Sequence, residues 1–169
     1  MEKRSGVVTF AGNPMTLLGK EVKVGDKAPD FVAAKNDLSP FHLSDLKGKT
    51  VIISAVPSVD TGVCELQTIR FNEEANKLDN VTIVTVSCDL PFAQGRFCAA
   101  KGIDKAVTVS DYKDLDFGMK YGFVIEELRL LARGIVVVDK DGVVRHVKYV
   151  SEIGNHTNYN AALDVAKAL

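Results

Sequence analysis

Residues 57–64 read PSVDTGVC, directly after the apolar run TVIISAV at 50–56. A thiol placed there follows a strand-like run, in a turn built from Pro, Ser, Asp, Thr and Gly, just where a helical pattern begins. Thr61 or Asp60 can cap that helix, because both side chains accept hydrogen bonds from free N–H groups. Cys64 then falls in the first turn, where unpaired N–H groups and the helix macrodipole favour an anion. Cysteine attacks as its thiolate, and a helix N-terminus promotes that form. The carboxyl end of a strand is also where open α/β folds bind ligands. A free cysteine is most often a small core residue. The polar, turn-forming neighbours and the helix-start position point instead to an activated nucleophile.

The surrounding residues narrow the chemistry. A cysteine hydrolase needs a histidine base, and none of His42, His146 and His156 stands in a context that marks it as catalytic. A dithiol reductase needs Cys-x-x-Cys, whereas this segment has Thr61-Gly62-Val63-Cys64. A hydroxyl in place of the second thiol can donate to a bound oxygen and accept from its proton. That suits a peroxide as the electrophile, with the thiolate attacking one oxygen while hydrogen bonds hold both. Metal chemistry is disfavoured, since Cys64, Cys88, Cys98 and the three histidines nowhere fall at zinc-ligand spacing.

The elements that must position this thiol follow a βαβ plan. VIISAV (51–56) and VTIVTVS (81–87) are continuous apolar runs, as buried parallel strands require. Residues 62–78 between them switch to helical spacing, with Val63, Leu66, Ile69, Arg70, Ala75 and Leu78 roughly on one face and Glu65, Glu73 and Glu74 off it. Pro91 opens a short helix through Ala100, and Gly102 suits its C-terminal cap. TVSDY (108–112) begins a looser region, and a weak helix follows near 114–121. GIVVVD (134–139) and VVRHVKYV (143–150) flank the turn residues Asp139-Lys140-Asp141-Gly142, which predicts a hairpin with a half-exposed second strand. A last helix is expected over 158–168. At the other end, two short apolar runs around Gly12-Asn13-Pro14 predict a β-hairpin at about 5–20. The expectation is a single domain over residues 1–169, an α/β fold with a mixed central sheet, helices on both faces and an N-terminal hairpin.

Composition sets outer bounds. With 21 basic and 22 acidic residues the net charge is −1, which argues against a nucleic-acid or polybasic membrane binder. No segment approaches the ~18 apolar residues of a membrane span, and the N-terminus lacks a signal-peptide core. The expected location is therefore cytoplasmic. Three cysteines, an odd number without Cys-x-x-Cys, argue against disulfide staples.

PSVDTGVC, RFNEEA, SCDLPFAQGRFC and LLARGIVVVD together resemble the thiol peroxidase family of peroxiredoxins, an atypical two-cysteine group. The likeness extends to TFAGNPMTLLG at the start and YVSEIGNHTNYNAAL at the end. It implies a thioredoxin-like fold and a Pro-x-x-x-Thr-x-x-Cys site at Pro57, Thr61 and Cys64. Cys64 would attack the peroxide and become a sulfenic acid, Thr61 would hydrogen-bond peroxide and thiolate, and Pro57 would shield the sulfur from water. Arg133 matches the family's distant arginine, and a guanidinium there would stabilise the thiolate and orient peroxide oxygens. Cys98 matches the resolving cysteine, which would close an intrasubunit disulfide with Cys64. The two helices would have to unwind locally, and Gly95 serves either that unwinding or close packing. The resemblance further implies hydrogen peroxide and organic hydroperoxides as substrates with a lean toward alkyl ones, thioredoxin as reductant, no metal or organic cofactor, and a homodimer with its interface beside the site. Cys88, after a strand, reads as a buried inert thiol. Asp60 either caps the helix or supports a subunit contact. Two other functions are compatible with parts of the pattern: a redox sensor passing the oxidation of Cys64 to a partner protein, and a binding module with incidental cysteines.

Overall fold

The computed structural model describes residues 2–75, 77–103 and 106–169. In chain order the strands are β1 (Lys3–Phe10), β2 (Asn13–Leu18), β3 (Val32–Ala34), β4 (Pro40–His42), β5 (Thr50–Ala55), β6 (Val81–Ser87), β7 (Val107–Ser110), β8 (Val124–Ile125), β9 (Leu130–Leu131), β10 (Gly134–Val138) and β11 (Val144–Tyr149). The helices are α1 (Gly62–Ala75), α2 (Pro91–Lys101), α3 (Asp116–Tyr121) and α4 (Tyr159–Lys167), with a 3₁₀ turn at Leu43–Leu46.

All six residues of β5 are buried, which requires cover on both faces of its sheet. β5 pairs in parallel with β6 and β6 with β7, while β10 pairs antiparallel with both β5 and β11. The full order is β11-β10-β5-β6-β7-β3-β4. Alternation along these strands feeds two separate cores. Ile52, Ile83, Ile135 and Val137 meet Cys64 and Phe71 of α1, Phe97 of α2 and Leu163 of α4. Val51, Ile53, Val84 and Val136 meet Phe31, Phe117, Tyr121 and Phe123 on the opposite side. The expected α/β architecture is thus present, and α1, α2 and α4 share one face of the sheet. Among the described residues, no helix is long and apolar enough to cross a membrane.

The structure adds elements that the sequence pattern did not indicate. The N-terminal hairpin is extended by β8 and β9 into a second sheet of order β1-β2-β8-β9. Residues 108–110, expected in a looser region, join Val107 to form β7 as the third parallel strand. Helix α1 ends at Ala75 rather than at 78; Asn76 and the Ala75 side chain lie outside the described residues, and Lys77 is in a turn bonded to the Glu74 carbonyl at 3.0 Å. α2 has Pro91 in its first turn and is closed by Gly102 at φ 67°, whose N–H bonds the Cys98 carbonyl. α4 is capped by Asn158, whose side chain accepts from Ala161 N–H at 3.1 Å. β11 is half exposed, as its alternation requires, with a register shift opposite Val137 and Val138.

Asp111 secures α3 to the end of β7. Its Oδ1 accepts from Phe117 N–H at 3.0 Å and its Oδ2 from Gly118 N–H at 2.8 Å. Burial nevertheless pushes the carboxyl up from 3.8 to about 6. A folded value above the unfolded one means that the native state binds the extra proton, so this group's contribution to stability is complete below about pH 4 and is lost as pH rises through 6. Asp111→Asn cannot titrate. The stability of wild type relative to that variant should therefore fall by up to about 3 kcal/mol between about pH 4 and 7, read by denaturant unfolding at each pH. A pH-independent difference would mean that Asp111 does not titrate in this window.

Candidate active site

The turn after β5 delivers the thiol. Thr61 is the cap: its Oγ1 accepts from Cys64 N–H at 3.2 Å, and its carbonyl accepts the first helical bond from Glu65 N–H at 2.8 Å. Asp60 is exposed and does not cap; its N–H donates to Ser58 Oγ at 3.1 Å. Cys64 therefore stands in the first turn of α1, as expected, and is fully buried. Thr68 Oγ1 returns to the Cys64 carbonyl at 2.8 Å. Pro57 is buried in the turn between Val56 and Ser58, while Asp60, Thr61 and Gly62 are exposed at its mouth.

Arg133 comes to this sulfur from 69 residues away, donating from Nη2 to Cys64 Sγ at 2.9 Å. It precedes β10, and a Cβ on the next residue, Gly134, would collide with the Lys148 carbonyl and the Phe123 ring. Glycine there lets the strand sit tightly enough to hold the arginine. The guanidinium is only 2% exposed. Its Nη1 donates to Gln67 Oε1 at 2.9 Å and its Nε to the Ile153 carbonyl at 2.9 Å. Gln67 Nε2 in turn donates to Ser54 Oγ at 2.5 Å. Among the described residues no carboxylate pairs with Arg133. Buried charge is costly without a counter-charge, and the one partner here able to ionise is the Cys64 thiol. Tyr159 of α4 covers the same region, its ring edge-on to Phe71 at 5.3 Å between centroids. Burial raises its phenol, with Arg133 opposing and Cys64 reinforcing that rise.

Thr61, Cys64 and Arg133 thus come together at the start of α1, with Pro57 buried in the turn before it. Cys98 does not join this hydrogen-bonded group. It lies on α2, packed against the same core as Cys64, with Sγ 3.4 Å from Thr108 Oγ1. Cys64, Cys88 and Cys98 are all free thiols. Cys88 packs on the opposite core, and burial, reinforced by Asp111 and Asp89, pushes its thiol up to about 12.

One expectation about α1 is overturned. Leu66, placed on the inward face by hydrophobic spacing, is 57% exposed, and the buried stripe is Cys64, Gln67, Thr68, Phe71 and Asn72. These positions follow i, i+3, i+4, i+7, i+8 from the cysteine, so the helix period is kept but polar side chains fill it. Gln67 and Ser54 were not identified from the sequence. Gln67 was within reach, because residue i+3 on the helix shares the nucleophile's face.

This constellation agrees with comparisons to known proteins. The Redoxin family model matches residues 23–163. Thiol peroxidase from Halalkalibacterium halodurans is 60% identical over 161 residues, covering 95% of this chain and 97% of the relative. The Bacillus subtilis thiol peroxidase is 56% identical over 162 residues, covering 96% and 97%. Among solved structures, a peroxiredoxin-like protein from Aquifex aeolicus superposes with a TM-score of 0.91 at 40% identity, covering 98% of this chain and 96% of that one. Thiol peroxidase from Chromobacterium violaceum, at 17% identity, shares the fold with a TM-score of 0.84 over 95% of each chain. Full-length similarity, a thioredoxin-like α/β fold and a buried arginine on a helix-start cysteine lead to one assignment: the chain belongs to the Redoxin family and, within it, to the thiol peroxidases, peroxiredoxin-type enzymes whose chemistry runs through a thiol.

Proposed function

We propose that the chain reduces hydrogen peroxide and organic hydroperoxides by a three-step thiol cycle, as a cytoplasmic homodimer. In the first step the Cys64 thiolate attacks one peroxide oxygen. The S–O bond forms and the O–O bond breaks; sulfur is oxidised by two electrons and the other oxygen leaves as water or alcohol after taking a proton. Thr61 hydrogen-bonds the peroxide, Pro57 keeps water off the sulfur, and Arg133 holds the charge that develops on oxygen. In the second step the Cys98 thiolate attacks the sulfenic sulfur, an S–S bond replaces S–O, and water leaves. In the third, a dithiol protein of the thioredoxin type reduces the Cys64–Cys98 disulfide by exchange, supplying two electrons.

The observation that carries this reading is Arg133, buried and held by three hydrogen bonds, with the Cys64 sulfur as its one ionisable partner. A thiolate supplies the missing counter-charge, and the same guanidinium is preorganised for a negatively charged transition state. Resolution is supported by Gly95 in α2. The nearest atoms to a Cβ there would be those of the Asn36 side chain, at an ordinary 3.7 Å, so close packing does not demand glycine. Its effect is to lower the cost of unwinding the helix that carries Cys98, by about 1 kcal/mol relative to Ala.

The test is non-reducing peptide mapping by mass spectrometry after one equivalent of an alkyl hydroperoxide. A Cys64–Cys98 link within seconds is expected. Unlinked oxidised Cys64, or a link through Cys88, would overturn the resolving step and favour relay of the oxidation to a partner protein. Light scattering on the reduced protein, before peroxide is added, should give a two-chain mass; the 18.3 kDa of one chain would remove the homodimer from the reading.

A further inference from the structure

The turn that sets Thr61 and Cys64 is held from outside its own segment. Asp89, between β6 and α2, accepts from the Ser58 hydroxyl through Oδ1 at 2.7 Å. Its Oδ2 accepts from Val59 N–H at 2.8 Å and from the Ser87 hydroxyl at 2.7 Å. Ser87 Oγ accepts in turn from Gln94 Nε2 at 2.9 Å, and the same amide donates to the Val109 carbonyl at 2.8 Å. Gln94 is fully buried on α2, one turn before Cys98. Ser110 Oγ donates to the Asp89 carbonyl and ties this junction to β7. On the other side, Ser58 receives Asp60 N–H at Oγ, 3.1 Å, and Thr61 Oγ1 at its carbonyl, 3.4 Å.

One carboxylate therefore joins the residues that place Thr61 to the base of the helix that carries Cys98. Both of its oxygens are engaged, and charge-assisted bonds of this kind are shorter and stronger than neutral ones. We propose that Asp89 is a positioning residue for the peroxide step: by pinning Ser58 and Val59 it holds Thr61 and Cys64 in the geometry for attack, and it does so from the junction of β6 and α2. The inference rests on the thiol cycle proposed above. Asp89 acts through Ser58 and Val59, so its loss should act on the first step and spare the second. Displacing reacting groups by about 1 Å costs on the order of 100-fold in rate, and a loosened turn is a milder version of that displacement.

The experiment is rapid quench of the reduced protein with an alkyl hydroperoxide, followed by alkylation and mass spectrometry. Loss of the Cys64 thiol and appearance of the Cys64–Cys98 link are read separately. Asp89→Ala should slow thiol loss by about tenfold or more without slowing conversion of oxidised Cys64 to the link. Asp89→Asn should recover most of the rate, because its amide oxygen can accept from Val59 N–H while its NH₂ donates to the Ser58 hydroxyl. Ser58→Ala, which removes the Oδ1 bond and the Asp60 N–H bond to the same hydroxyl but leaves Val59 N–H on Oδ2, should slow the same step by less, and it carries the test if Asp89→Ala does not fold. Thiol loss in Asp89→Ala at the wild-type rate or faster overturns the proposal. So does failure of Asp89→Asn to recover, or an equal slowing of both steps, which is what a generally loosened fold would give. If wild-type Cys64 itself does not react, the thiol cycle fails and takes the proposal with it, so the two failures are distinguishable.

Discussion

Arg133→Met should lower the second-order rate of Cys64 oxidation by roughly 10²–10³-fold, the range for removing a preorganised donor from a developing oxyanion. The argument starts from burial. A guanidinium that is 2% exposed cannot use water as a partner, so its donors are aimed where the protein aims them. Two of those directions are structural, toward Gln67 Oε1 and the Ile153 carbonyl, each at 2.9 Å. The third is the sulfur. Met fills similar volume without charge, so the thiol loses its cationic neighbour and the peroxide oxygens lose their donor. Arg133→Lys should recover only part of the rate, since a single ammonium cannot satisfy three divergent acceptors in the plane of a fork. Both variants leave Gln67 or Ile153 with an unpaired buried acceptor, a cost of about 1–3 kcal/mol each. Melting curves must therefore accompany the kinetics. A folded Arg133→Met protein that oxidises Cys64 at the wild-type rate would remove the arginine from the mechanism.

The parts of this site that were legible before the structure are the local ones. Thr61 and Cys64 are three residues apart, so cap chemistry alone places the sulfur at the helix start. The strand–helix–strand unit was readable because β5 and β6 are long apolar runs, and the two hairpins because Gly12-Asn13-Pro14 and Asp139–Gly142 mark their turns. Strands β3, β4, β8 and β9 have only two or three residues, too few for a period to show. β7 has four, VTVS, in which polar residues alternate with valines although the sheet buries Thr108, Val109 and Ser110 alike. The face of α1 was misread for a functional reason: the inward stripe is where the site puts Gln67 and Thr68, so hydrophobicity no longer marks the inside. Arg133 came from family likeness, because nothing in LLARG itself says that its side chain crosses to a helix 69 residues earlier. Asp89 stayed hidden because a carboxylate that receives three hydrogen bonds looks the same in sequence as a solvated one.

Cys98→Ser should abolish steady turnover with a dithiol reductant and leave oxidised Cys64 to accumulate after one equivalent of peroxide, whereas Cys88→Ser should keep wild-type turnover. The two thiols are separated by the sheet itself. Cys98 packs on the core shared by α1, α2 and α4, where Cys64 also lies; Cys88 packs on the other. Burial first, then the charges of Asp111 and Asp89, push the Cys88 thiol up to about 12. At neutral pH its thiolate fraction is then on the order of 10⁻⁵, and only the thiolate attacks. Reaching Cys64 would also require passage through β5 and its neighbours, whereas Cys98 needs only local unwinding of two helices on one face. What holds those helices together at the surface is weak: Lys101 Nζ meets Glu65 Oε1 at 2.8 Å, with the lysine side chain 42% and the glutamate 33% exposed. Such a pair contributes about 0–1 kcal/mol, so it restrains the unwinding little. Deeper in the fold, Gln94 anchors the base of the Cys98 helix to Ser87 Oγ and the Val109 carbonyl. Retained turnover in Cys98→Ser, or its loss in Cys88→Ser, would show that the disulfide closes by a route the two-core architecture does not allow.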